Sequence, residues 1–192
     1  MSRRLRVWYP GAMYHITSRG NRRTALFYDE ADYLEYLKIL EESREYYPFY
    51  LHSYCLMTNH IHLQVETIDY HPQYMMKMIN SRYAIYYNKR YELEGHVFQG
   101  RYGSALIENI KYELKVSQYI HLNPVEAKMV TFPEAYQWSS FAAYILQKKD
   151  PHVTTDRILG YFAEPAQYKK FVEESQEYGE AKLHSKLITK EG

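Results

Sequence analysis

An α+β fold of the split βαβ, ferredoxin-like kind is what the sequence predicts: an antiparallel sheet with helices on one face, then a further helix and a C-terminal helical extension. Three observations lead there. Period-2 alternation marks a strand from residue 60 onward, and residues 13–19 and 49–57 read as strands beside it. Two long stretches with apolar residues at helical spacing, near 30–45 and 71–90, alternate with them as strand, helix, strand, strand, helix, strand. The two-residue link Thr58-Asn59 joins the middle strands directly, as a hairpin does. Such an arrangement leaves the second face of the sheet open for a substrate.

Each element has its own justification. Met13-Tyr14-His15-Ile16-Thr17-Ser18-Arg19 reads as the first strand, closed by the turn residues Gly20-Asn21. Asp29 is placed to cap a helix over about residues 30–45, with Leu34, Leu37, Ile39 and Leu40 as its apolar stripe. Pro48 ends that connection, and residues 49–57 form the second strand. Residues 71–90 carry Met75, Met76, Met78, Ile79, Tyr83, Ile85 and Tyr86 at helical spacing, the methionines serving as adaptable core filler. Gly95 interrupts, and residues 97–107 read as a fourth strand in which Gly100 and Gly103 mark bulges or close approaches. Glu108 or Asn109 opens a third helix. Pro124 is expected to end it, because the residue before a proline is pushed out of the α region. Residues 136–146 and 165–178 read as further helices, with Trp138, Phe141 and Tyr144 packing onto the rest. The predicted organisation is a main domain over 1–130, a helical extension over 131–178 and a loose polar tail over 179–192.

Composition narrows the classes. A chain of 192 residues suits one domain with an appendage, and 24% charged with 46% hydrophobic residues is ordinary for a globular protein. No apolar run approaches the ~20 residues of a membrane span, and residues 1–5 lack the apolar segment of a signal peptide. The single Cys55, inside a strand-like run, excludes a disulfide framework, reads as a small buried hydrophobe and fits a reducing cytoplasm. A net charge of +1 neither requires nor excludes a polyanion. The 23 tyrosines offer flat faces for base stacking, and basic residues gather locally: Arg3, Arg4 and Arg6; Arg19, Arg22 and Arg23; Arg82, Lys89, Arg90 and Arg101.

The chemistry concentrates at Asn59-His60-Ile61-His62-Leu63. On a strand His60 and His62 share a face roughly 7 Å apart, while Ile61, Leu63 and Val65 anchor the other. Two such imidazoles either converge on one cation or serve as solvated polar residues, and two ligands alone do not make a site. The third helix supplies more. Tyr119 and Asn123 lie four apart on one helical face, a hydroxyl beside an amide oxygen able to ligate a hard cation. Together the four side chains form the parts of a metal-assisted nucleophilic site.

These segments carry a resemblance. Residues 14–23 (YHITSRGNRR), 54–63 (YCLMTNHIHL), 98–102 (FQGRY) and 119–125 (YIHLNPV) resemble the single-tyrosine HUH transposases of the IS200-like group, and most closely their REP-associated tyrosine transposase branch. The similarity runs in order from about residue 8 to 145. It implies a ferredoxin-like HUH catalytic domain, His60 and His62 as the two histidine ligands, Asn123 as the third, Mg²⁺ or Mn²⁺ as the cation and Tyr119 as the nucleophile. It further implies single-stranded DNA, with a hairpin, as substrate, cut and rejoined through a 5′-phosphotyrosine. Arg19, Arg22 and Arg23, on the turn after the first strand, are the candidates for gripping that DNA through its phosphates. IS200-like members act as homodimers and the REP-associated branch need not, so the oligomeric state stays open. The extension is expected either to bind DNA or to shield a sheet edge. His15 is expected to pack or to support a ligand rather than to ligate. Two rival readings stand beside this one: a non-catalytic nucleic-acid-binding sheet, and a metal-dependent hydrolase that uses water.

Overall fold

Alternating apolar residues pair off across the sheet and dictate its layers. In the computed structural model, which describes residues 7–146 and 149–174, strand β1 (Met13–Arg19) runs into helix α1 (Glu30–Tyr46), strands β2 (Phe49–Met57) and β3 (His60–Thr67), helix α2 (Pro72–Tyr91) and strand β4 (Gly103–Ile107). The sheet order is β2-β3-β1-β4 with every neighbouring pair antiparallel, the ferredoxin-like arrangement that the element order predicts. The register sets Tyr14 against Val65 and Ile16 against Leu63. Their side chains, with Leu51, Leu56 and Ile61, enter one core with Tyr36, Leu37 and Leu40 of α1 and Met75, Met76 and Ile79 of α2. Each such aliphatic side chain contributes about 1.5–3 kcal/mol by leaving water, so this layer holds the sheet and helices together. Asp29 caps α1 by accepting from the Ala31 and Asp32 amides. The stripe is narrower than predicted: Leu34 and Ile85 are exposed, because each faces away from the α1–α2 contact.

The second face of the sheet is not left open. Helix α3 (Ile110–Glu126) lies across β2 and β3, and Met13, Cys55, Met57, Ile107, Val116, Ile120 and Tyr136 form a second core beneath it. Apolar residues on both faces of β2 require this cover. Three sequence expectations change for local reasons. β4 is only Gly103–Ile107, because residues 96–102 leave the ladder in a loop with Gly100 at φ 69°, tied back by a single Gly20–Phe98 bridge. Pro124 sits inside α3 instead of ending it, since the turn beyond keeps its own bond from Ala127 N to Asn123 O (2.9 Å) and Pro124 is buried. The predicted helix over 136–146 shrinks to α4 (Phe141–Ile145), because the residues before it pair with the β2 edge. Leu56 N donates to Trp138 O (2.9 Å) and Ser140 N to Tyr54 O (3.1 Å), so the extension does shield an edge.

Helices α5 (Asp156–Leu159) and α6 (Pro165–Glu173) complete a third core of Leu122, Phe141, Tyr144, Ile158, Tyr168 and Val172. The end of the predicted last helix and the expected loose tail over 179–192 lie outside the described residues. Among the described residues no helix is long and apolar enough to cross a membrane.

Candidate active site

His60 opens β3 and His62 follows on the same face, their rings 4.9 Å apart between centroids and nearly perpendicular. Each imidazole is oriented through its Nδ1. Asn59 Oδ1 lies 2.7 Å from His60 Nδ1, and since a carbonyl oxygen only accepts, His60 carries its proton there. The Asn59 amide is itself fixed by donation from Nδ2 to Arg23 O (3.2 Å). His62 Nδ1 lies 3.0 Å from Nε2 of His15, which reaches across from β1. A cation at this strand face would therefore meet the Nε2 atoms. His15 is fully buried, and burial lowers its pKa to about 4, so its ring is neutral at physiological pH.

Helix α3 brings Tyr119 over this pair. Its ring stands edge-on to His62 at 5.4 Å and to His15 at 5.7 Å. Burial raises the Tyr119 pKa, an effect that Glu126 reinforces and that the neighbouring Asn123 amide and the Arg19 charge oppose. One turn along, Asn123 is buried and donates Nδ2 to the Tyr119 carbonyl (2.9 Å), leaving Oδ1 outside that bond. Among the described residues no group of three His, Cys, Asp or Glu side chains is placed to hold a metal ion. Asn123, on the helix that carries Tyr119, is the amide that could add an oxygen to the two imidazoles, and a mixed nitrogen and oxygen set of this kind would suit a divalent first-row ion.

Of the three predicted arginines, Arg19 pairs with His60 in the β1–β3 register, so it stands at the rim of the site and not merely on the following turn. Arg22 and Arg23 are exposed on a 3₁₀ turn (Asn21–Arg23), with φ of 53° and 61°. Gly20 starts that turn; a Cβ there would come 2.1 Å from the Thr24 carbonyl oxygen. The loop after α2 buttresses it, with Asn21 N on Val97 O and Gln99 N on Arg19 O, both 2.8 Å. The contribution of His15 was only half visible in sequence. Its place on the first strand, two before Thr17, is visible in sequence; that Thr17 pairs with His62 is not.

A buried polar chain holds α3 from the side away from Tyr119. Ser140 Oγ, His121 Nε2 (2.8 Å), His121 Nδ1 to Tyr168 Oη (2.6 Å), Tyr168 to Ser117 (2.6 Å), Ser117 to Ser53 (2.8 Å) and Ser53 to Gln64 Oε1 (3.0 Å) follow one another. One proton orientation satisfies all these contacts: each group donates toward Gln64, which places the His121 proton on Nδ1. Only the longer Ser140 to Tyr54 O contact, 3.3 Å, is then given up. Burial lowers the His121 pKa to about 3, consistent with the single proton this count requires. Ser117 and His121 flank Tyr119 by two residues on either side, so α6, which carries Tyr168, fixes the helix that presents the phenol.

Comparison with known proteins agrees with this architecture. The family model described as "Transposase IS200 like" matches residues 9–123. The structure of a REP-associated tyrosine transposase bound to a REP hairpin superposes with a TM-score of 0.66 at 19% identity, covering 80% of this chain and 91% of that one. A Deinococcus radiodurans R1 protein assigned as a transposase aligns with a TM-score of 0.41 at 18% identity, over 62% of this chain and 95% of its own. No curated protein matches.

Proposed function

The chain belongs to the IS200-like transposase family, and we propose that it cleaves and rejoins single-stranded DNA near hairpins, with Tyr119 as nucleophile and a divalent cation held by His60, His62 and Asn123. The observation that carries this reading is the edge-on placement of Tyr119 against His62, 5.4 Å between ring centroids. A phenol and an imidazole pair from distant parts of the chain share one spot. The hairpin-bound state of the structurally similar REP-associated transposase supports a hairpin-bearing strand as the substrate class.

The steps follow from the groups present. A phosphodiester resists attack because its oxygens are negative, and a phenol with a raised pKa is a weak nucleophile. Mg²⁺ or Mn²⁺, when bound, would polarise the scissile phosphate and neutralise charge that develops on it. Arg19 stands beside Tyr119 and favours the phenolate, and its guanidinium can also contact a phosphate. The Tyr119 oxygen bonds to phosphorus while the bond to the 3′ oxygen breaks. The phenol's proton is lost as the 3′ oxygen gains one, leaving a 5′-phosphotyrosine and a free 3′-hydroxyl. Attack by another 3′-hydroxyl reverses the step, so strands rejoin without an outside energy source. Asn123 and His15 hold the phenol helix and the His62 ring in register, and Arg22 and Arg23 present cations to the flanking strand.

The test is incubation with hairpin-bearing single-stranded DNA and Mn²⁺ followed by a denaturing gel. A covalent protein–DNA adduct should form with the native chain and vanish in Tyr119→Phe. Cleavage that persists in Tyr119→Phe without any adduct would replace this reading with water-mediated hydrolysis, and DNA binding without cleavage would leave a binding module.

A further inference from the structure

The buried contact between His15 and His62 extends the metal reading above, on which this inference rests. His15 Nε2 sits 3.0 Å from His62 Nδ1, with the two rings stacked at 5.2 Å and 25°. A neutral imidazole carries one N–H, so the pair has two arrangements. In one, His62 donates Nδ1–H to His15 Nε2, its own Nε2 carries no proton, and His15 holds its proton on Nδ1. In the other, His15 donates from Nε2, and the His62 proton sits on Nε2, where it blocks a cation. We propose that His15 is a positioning residue that selects the first arrangement, accepting the Nδ1 proton of His62 and thereby presenting Nε2 to the metal.

Two further features fit this role. His15 is 0% exposed and, among the described residues, its ring meets a hydrogen-bonding partner only at Nε2, on His62, so that contact and not packing accounts for a histidine here. A leucine of similar bulk would fill the space but would take from His62 Nδ1 the partner that His15 Nε2 now gives it. Ligand imidazoles usually give their second N–H to a carboxylate or carbonyl; here another imidazole takes it. Because His15 also touches Tyr119 edge-on at 5.7 Å, it ties ligand orientation to the placement of the phenol.

The experiment is Mn²⁺ titration of the full chain without DNA, followed by the electron paramagnetic resonance signal of free Mn²⁺. It compares the native chain with His62→Ala, His15→Leu and His15→Gln. The Gln side chain places an acceptor near the position of Nε2, so it tests the hydrogen bond apart from the ring. Expected are a loss of affinity of about 10- to 100-fold for His15→Leu and recovery of most of it in His15→Gln. Native affinity in folded His15→Leu, or equal losses in both His15 variants, would overturn the role assigned to His15 while leaving the metal site standing. Mn²⁺ binding that His62→Ala does not weaken would instead remove the metal site, and this inference with it. Should His15→Leu fail to fold, the His62 tautomer in the native chain decides. Two-bond ¹⁵N–¹H spectra with Mg²⁺ should show the proton on Nδ1, and a proton on Nε2 would refute the proposal.

Discussion

Replacing Tyr168 by Phe tests whether α6 fixes the helix that carries Tyr119. The substitution keeps the ring in its fully buried place and removes only the hydroxyl, which bridges Ser117 Oγ and His121 Nδ1 at 2.6 Å each. Ser117 keeps its bond to Ser53 (2.8 Å), so it loses a partner without being stranded. His121 loses the acceptor for its Nδ1–H in a site with 0% exposure. A buried donor left without a partner costs roughly 1–3 kcal/mol, and about 2 is expected here. For a chain of this size that corresponds to a fall in melting temperature of about 4–8 °C. Urea unfolding of Tyr168→Phe, Ser117→Ala and the double variant gives the assay. If the chain of hydrogen bonds is continuous, the double variant loses less than the sum of the singles, with a coupling of about 0.5–3 kcal/mol. A loss below about 0.5 kcal/mol for Tyr168→Phe, the range of an ordinary surface change, or strict additivity of the pair would refute the proton orientation argued above.

Other outcomes follow from the same geometry. Gly20→Ala places a Cβ 2.1 Å from the Thr24 carbonyl oxygen, so the backbone of the Arg22–Arg23 turn must move. A destabilisation of about 1–3 kcal/mol with weakened hairpin binding is expected, read by urea midpoint and gel shift; unchanged values would show that the turn yields freely. Acid should destabilise the fold through His121. Its folded pKa of about 3 lies below the unfolded value near 6.5, so the unfolded chain binds the proton first. Stability is complete above about pH 6.5 and falls by up to about 1.4 kcal/mol per pH unit between there and pH 3. His121→Gln should flatten that slope in urea titrations at pH 7 and pH 5, and an identical slope would count against the buried neutral ring. Asp32→Ala removes the 0% exposed carboxylate that Arg90 (2.7 Å), Tyr86 (3.0 Å) and Tyr91 (2.6 Å) all reach; Arg90 keeps Asp29 (2.6 Å), so the lost hydrogen bonds should cost about 1–3 kcal/mol in the same assay. A loss under 1 kcal/mol would mean that the α1–α2 clamp contributes little.

Elements governed by local chemistry could be read from the sequence. The bounds of β1 and β2, the Asp29 cap and the shared face of His60 and His62 depend on side-chain period and short-range hydrogen bonds. What could not be read depends on distant partners. The stretch before Phe141 carries a helix-like aromatic pattern, yet its backbone bonds go to the unpaired edge of β2. Pro124 announces a helix end that buried contacts override. At the site, the residue types and spacing pointed to His60, His62, Tyr119 and Asn123, with Arg19 and His15 as supporting candidates, but only the structure shows Arg19 across from His60 and His15 Nε2 at His62 Nδ1. Whether a strand neighbour is beside or diagonal to a ligand cannot be deduced from one strand alone.

Arg22 and Arg23 adopt, back to back, a backbone shape in which any L side chain is uncomfortable and glycine is at ease. A sequence tuned only for sturdiness would relax this bend with two glycines and gain roughly 1 kcal/mol or more. Two long cationic side chains stand there instead, so the bend holds its charge at a cost in durability.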